Sequence, residues 1–292
     1  MAVAHQLLSA AYLPLKWGND IFRMLNLGTG GSVRVLLSHD IPPEGRANFA
    51  RQIKAIARTW TFIAPSEFED LIQARRPVRG RHVLMTFDDG FHSNRWAAEA
   101  VLAPLKIKAL FFIPTNFVDI INPAQQRHFI ATRIFDGLID PDEVPEHLRA
   151  MGWEDIRWLA DAGHAIGSHT CSHVRLATIS EQKDLLEHEL ASSKARLQQV
   201  IGRPVEHFAF PFGSIGSINA HSLGAARKHY QFIHSGIRGD NTAVTPAWAL
   251  LRDSMQPGDS SLYIRSILEG SLDGYYRRRS RKIEKLGSEN GK

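Results

Sequence analysis

From residue 33 onward the chain reads as an α/β barrel-like domain, and three observations predict it. Short apolar runs rich in β-branched and aromatic residues alternate with segments of helical periodicity, the pattern of βα units laid around a parallel sheet. The runs are almost continuously apolar, as strands covered on both faces are. Glycine and proline punctuate the ends of the helical segments.

The first predicted strand is VRVLLSH (33–39), and helical spacing follows over 46–57. TWTFI (59–63) is the second strand; behind it Ser66 and Glu69 form a capping-box pattern ahead of Leu71 and Ile72. HVLMTF (82–87) and KALFFI (108–113) come next. Residues 116–150 then break the repeat with a polar, proline-containing insertion, readable as a lid or substrate-contact segment or as a peripheral subdomain. A helix from Trp153 to Ala162 ends at Gly163 and leads into the strand HAIGS (164–168). The clearest helix spans 180–201, with Leu185, Leu186, Leu190, Leu197 and Ile201 at helical spacing and Gly202 and Pro204 at its end. Its alternating Glu, Lys and Arg residues predict a solvated outer face. HFAF (207–210), QFIHS (231–235) and ALLRD (249–253) complete the strands. The domain so defined covers 31–272, between an N-terminal extension (1–30) ending in GTGGS and a basic C-terminal tail (273–292).

A chain of 292 residues with 43% hydrophobic content buries a substantial core, and disorder is not its default state. The lone Cys171 excludes an internal disulfide framework. No apolar run reaches the roughly 18 residues of a spanning helix. Leu7 to Leu15 is interrupted by Ser9 and Pro14 and follows no basic residue, which makes a poor secretory signal. A cytoplasmic location is therefore expected. The net charge of +5 is concentrated in Arg277, Arg278, Arg279, Arg281, Lys282 and Lys285. Such a run reads either as a solvated, frayed end or as a peripheral contact with an anionic membrane surface. Nucleic acid is not an expected partner, since the basic residues are not interleaved with aromatics on a recognisable module.

Chemistry concentrates at strand ends. Asp88 and Asp89 sit where HVLMTF stops, at the barrel face that holds active sites. Adjacent carboxylates are costly to ionise together unless a cation or hydrogen bonds compensate. A metal bound by one of them, with the other free to accept a proton, satisfies both conditions. The plainer alternative is a strand-end pair that caps loop amides. His169 and His173 follow another strand end; with Asp89 they supply the His, His, carboxylate set that leaves coordination positions open. Cys171 between them reads as a small buried hydrophobe.

The segments TFDDG (86–90), SHTCSH (168–173) and FAFPFG (208–213), in that order, resemble the polysaccharide deacetylase family, the NodB-homology group also classed as carbohydrate esterase family 4. The resemblance covers about 33–255. It implies a distorted TIM-like (β/α)7-type barrel forming a single catalytic domain, and hydrolysis of N-acetyl groups on an amino sugar. It also implies Asp88 as general base, Asp89, His169 and His173 as ligands of a divalent metal, usually zinc, and the loop Pro211, Phe212, Gly213 as substrate and oxyanion contact through the Phe212 amide. The late histidine common in the family is missing, because no His follows His234. His39 at the end of the first strand is instead similar to the general acid of the circularly permuted poly-N-acetylglucosamine deacetylase branch; its alternative is a histidine bonded to Asp40. Ala209 stands where many members carry a base-orienting arginine. Arg252 either replaces that arginine or pairs with Asp253. The competing functional readings are a silent carbohydrate-binding barrel and a deacylase or amidohydrolase for small or lipid-linked substrates.

Overall fold

The computed structural model describes residues 31–75 and 80–289, so the extension 1–30 lies outside the described residues. In chain order the elements are β1 (Ser32–Ser38), α1 (Arg46–Ala57), β2 (Thr61–Phe62), α2 (Pro65–Ile72), β3 (Arg81–Phe87), α3 (His92–Ala97), β4 (Ala109–Ile113), α4 (Thr115–Asp119) and α5 (Pro123–Phe129). They continue as α6 (Trp153–Asp161), β5 (Ala165–Ser168), α7 (Lys183–Glu187), α8 (Ser193–Ile201), β6 (His207–Ala209), α9 (Ala220–His229), β7 (Phe232–His234), β8 (Asp240–Asn241), β9 (Asp253–Ser254), α10 (Ser261–Leu268) and α11 (Asp273–Glu289).

The strands run β7-β6-β5-β4-β3-β1, parallel throughout, and β8 joins β1 antiparallel. Both faces are covered, as the apolar strand composition requires. Val33, Val35 and Leu84 enter one buried cluster, while Leu36, Val83, Met85 and Phe87 enter the larger one. Leu250 bridges His234 of β7, and β9 pairs with β1. The segment 250–254 therefore spans the two ends of the curled sheet, with Arg252 between them.

Three local expectations shift. The strand expected at 249–253 divides because the Arg252 amide donates to Ile237 O at 2.9 Å instead of extending a ladder. Only Thr61–Phe62 of 59–63 is extended, since the Trp60 amide still closes the turn of α1 onto Ile56 O. Pro65 at the first helical position starts α2 before Ser66, and Glu67 rather than Glu69 reaches back to the Ala64 amide, at 2.9 Å.

The helix expected over 180–201 starts at Lys183 and contains a π turn (His188–Ser192) between α7 and α8. The insertion is an ordered unit around its own apolar cluster, in which Phe117 stacks on Phe129 at 5.1 Å. The basic tail is helix α11, not a frayed end. Its Ile283 is buried, Tyr276 and Leu286 pack on the main core, and Asp273 at its start pairs with the buried Arg34. Arg278, Arg279, Arg281, Lys282 and Lys285 remain on its exposed side. Among the described residues, no helix is long and apolar enough to cross a membrane.

Candidate active site

β3 delivers the carboxylate pair. The Asp88 amide still continues the sheet, donating to Ser38 O at 3.0 Å; Asp89 then enters the left-handed region at φ 71° and Gly90 follows at 67°. That reversal sends two buried carboxylates to different partners. Asp88 receives Arg252 Nη1 at 2.7 Å and Nη2 at 2.9 Å, a bidentate fork. Asp89 turns to the imidazoles, with its Oδ1 3.5 Å from His169 Nε2 and 3.2 Å from His173 Nε2.

His169 and His173 lie on a turn rather than a helix, with Thr170 and His173 at φ 66° and 56°. Each imidazole is oriented from behind: His169 Nδ1 lies 2.8 Å from Ala209 O and His173 Nδ1 2.9 Å from Arg133 O. A carbonyl can only accept, so each Nδ1 carries a proton and each Nε2 is the ring atom left to face Asp89, or to bind a cation once it is deprotonated. These two nitrogens and an Asp89 oxygen lie within 4.8 Å of one another, a donor set that fits a divalent cation. Burial raises the Asp89 carboxyl, but hydrogen bonds from His169 and His173 overcome it and hold the group well below the usual carboxylate range. Burial works against a charged His173, yet its bond to Asp89 raises the imidazole above its ordinary value.

The turn carrying the imidazoles rests on Glu189, which the sequence pattern placed on a solvated face. The π turn brings this buried carboxylate under the loop, where it accepts from the amides of Cys171 and Ser172, each at 2.9 Å, and from the Ser172 hydroxyl at 2.6 Å. Cys171 is buried as expected, and burial pushes its thiol up to about 11.

The third motif supplies the facing loop. Phe212 is left-handed at φ 63°, and its amide has no partner among the described residues. A Cβ on Gly213 would meet Gly236 N at 2.3 Å, so this close approach requires glycine. The Phe212 ring lies edge-on to His173 at 4.9 Å and beneath the Arg175 guanidinium at 4.1 Å. Arg175 also donates to Ser217 and to Asp136 of the insertion.

Of the seven non-glycine residues with positive φ among the described residues, Asp89, Thr170, His173 and Phe212 belong to these three loops. Backbone strain is thus concentrated where side chains must converge.

One cleft of about 890 Å³ is lined by His39, Asp88, Asp89, His169, His173, Phe212, Gly213 and Arg252; Pro211 is not among its lining residues. Asp40 pairs with His147 at 3.0 Å and Ser93 at 2.8 Å, not with His39. Asp253 pairs with Arg34, leaving Arg252 to Asp88. The insertion contributes Ile134, Phe135 and Leu148 to the cleft and the Arg133 carbonyl behind His173, so it is a wall of the site. Glu189, Arg133 and Arg175 were not legible as site residues. The one sequence signal was a Glu in a helix directly after the histidine motif.

Residues 75–230 match the family model described as polysaccharide deacetylase. The chain is 23% identical over 208 residues to YxkH of Bacillus subtilis (strain 168), provisionally assigned as a polysaccharide deacetylase; the match covers 71% of this chain and 63% of the length of that relative. Among solved structures, IcaB from Ammonifex degensii superposes with a TM-score of 0.62 at 22% identity, covering 83% of this chain and 97% of IcaB. A polysaccharide deacetylase from Bacillus cereus gives 0.61 at 23% identity, over 82% of this chain and 69% of its own. These likenesses show the fold, the distorted (β/α)7-type barrel expected from the sequence.

Proposed function

The chain belongs to the polysaccharide deacetylase family, and from that premise we propose that it is a metal-dependent hydrolase releasing acetate from N-acetylated amino sugars. The observation that carries this reading is the division of the carboxylate pair: Arg252 holds Asp88 while Asp89 joins His169 and His173.

Asp89, His169 and His173 would hold a divalent cation, zinc by the nature of its donors, which supplies Lewis-acid polarisation of the acetamide carbonyl and acidifies a water. Asp88, oriented by Arg252, takes the proton of the attacking water. The Phe212 amide donates to the oxygen that becomes negative. His39, at the end of β1 and on the cleft wall, returns a proton to the departing nitrogen so that a neutral amine leaves. The silent-barrel reading is disfavoured because every group this chemistry needs faces one cleft.

The test is acetate release from N-acetylglucosamine oligomers and from lipid-linked N-acetylamino sugars, with and without chelator. Asp88→Asn and His39→Ala should each lose turnover and keep their metal. Full activity in Asp88→Asn, or activity indifferent to chelator, would overturn the mechanism.

A further inference from the structure

Beside the cleft, across the segment 40–43, lies a second hollow of about 320 Å³ that the reaction above does not use. Arg46, His92, His147 and Arg149 line it, and Glu146 is the one carboxylate among its lining residues. Arg46 opens α1, with its guanidinium 4.7 Å over the Trp96 ring and its buried Nε lacking a hydrogen-bond partner. Arg149 reaches His92 Nδ1 at 3.5 Å. Neither arginine has a carboxylate partner among the described residues. Burial lowers the His92 imidazole below its ordinary value, and Arg149, Arg46 and Arg95 push it the same way while Asp155 opposes them. Asp40 of the cleft wall is already engaged, since one of its oxygens takes the Ser93 hydroxyl and the other faces His147.

We propose that this hollow is a subsite for an anionic group, a phosphate or a carboxylate, carried by the glycan substrate. Guanidinium forks match the geometry of such oxyanions. The two hollows differ in what they offer an anion. In the cleft Arg252 is already committed to Asp88, whereas the adjoining hollow offers two arginines without acidic partners among the described residues. A substrate with its acetamide in the cleft and an anion in the hollow would span both. The identity of the glycan rests on the deacetylase reading; the anion site itself does not.

Two measurements separate them. Inorganic phosphate titrated calorimetrically into the full chain should bind, and Arg46→Gln/Arg149→Gln should weaken that binding about tenfold or more, as expected for loss of charge-assisted hydrogen bonds. An Asp89→Asn control should leave phosphate binding in place, so that binding at the metal site is excluded. Arg149→Gln alone, at an exposed position, provides a variant that spares the fold. In turnover, N-acetylglucosamine tetramers bearing a terminal phosphate or a uronate should show a KM about tenfold below the neutral tetramer at equal kcat. That preference should fade with salt and vanish in the double variant, which keeps wild-type kcat on the neutral tetramer. The phosphate and uronate arms tell the two anions apart. Equal phosphate binding by wild type and double variant, or equal KM for charged and neutral tetramers, overturns the subsite. Acetate release from none of the tetramers, with phosphate binding still dependent on the arginines, overturns the deacetylase reading and leaves the subsite standing.

Discussion

Arg252 grips both oxygens of Asp88, at 2.7 and 2.9 Å, across 164 positions of sequence. Its Nε donates to Ser235 O at 2.8 Å and its guanidinium lies 5.0 Å over the Phe112 ring, so the fork has little freedom to turn. The segment that bridges β7 and β1 thereby places an arginine on Asp88.

Replacing Arg252 by Lys keeps a charge but removes the fork. Arg252→Lys should lower kcat about 100-fold through loss of Asp88 orientation, with metal content unchanged. Arg252→Ala should also lower thermal stability, by about 3–5 kcal/mol, because it leaves a buried carboxylate without its partner. Steady-state kinetics, metal analysis and denaturant unfolding check the pair; wild-type kcat in the Lys variant would remove Arg252 from base orientation.

Glu189 holds the imidazole turn through two amides and a hydroxyl. Glu189→Ala should destabilise the fold by about 2–3 kcal/mol, since a buried and a half-buried amide lose their acceptor. It should weaken metal affinity about 10- to 100-fold, as changes behind ligands do. Competition against a chromophoric chelator measures the second effect, and unchanged affinity would reduce Glu189 to a purely structural role.

Arg175 ties the Phe212 loop to the insertion. Arg175→Ala should lower kcat about tenfold or more while leaving metal content intact, because the Phe212 amide loses its fixed position. Arg175→Lys should restore part of that loss, since a cation still packs on the Phe212 face. A change confined to stability, with kcat untouched, would contradict this role.

Metal binding should be coupled to protons. In the metal-free protein His173 is raised above its ordinary pKa, so its protonated form is favoured, whereas a ligand must be neutral. As pH falls through that raised pKa, protons compete with the cation, and apparent affinity should drop about tenfold per pH unit for one proton displaced. Asp89, held well below the ordinary carboxylate range, stays charged over the same interval and adds no further slope. Calorimetric zinc titrations in buffers of different ionisation enthalpy would count the protons released; a pH-independent affinity would exclude His173 as a ligand.

Much of the fold was legible because its signals are local. Continuous apolar runs predicted the strands β1, β3, β4 and β5 closely, and helical spacing located α1 at its observed bounds. Extended segments as short as β2 and β9 were overestimated, since composition does not register which amides find a ladder partner. The solvated face read on 180–201 failed at Glu189, which lies in the π turn and is buried against the imidazole turn.

By itself the sequence determined that carboxylates and imidazoles stand at the ends of parallel strands, because strand periodicity and motif spacing are properties of neighbouring residues. Three decisions belonged to the tertiary structure: Arg252 on Asp88, Glu189 beneath the imidazole turn, and the Arg133 carbonyl behind His173. Each meets the requirement that a buried polar group find a partner; the segment joining the two ends of the sheet brings Arg252, the π turn brings Glu189 and the insertion brings Arg133.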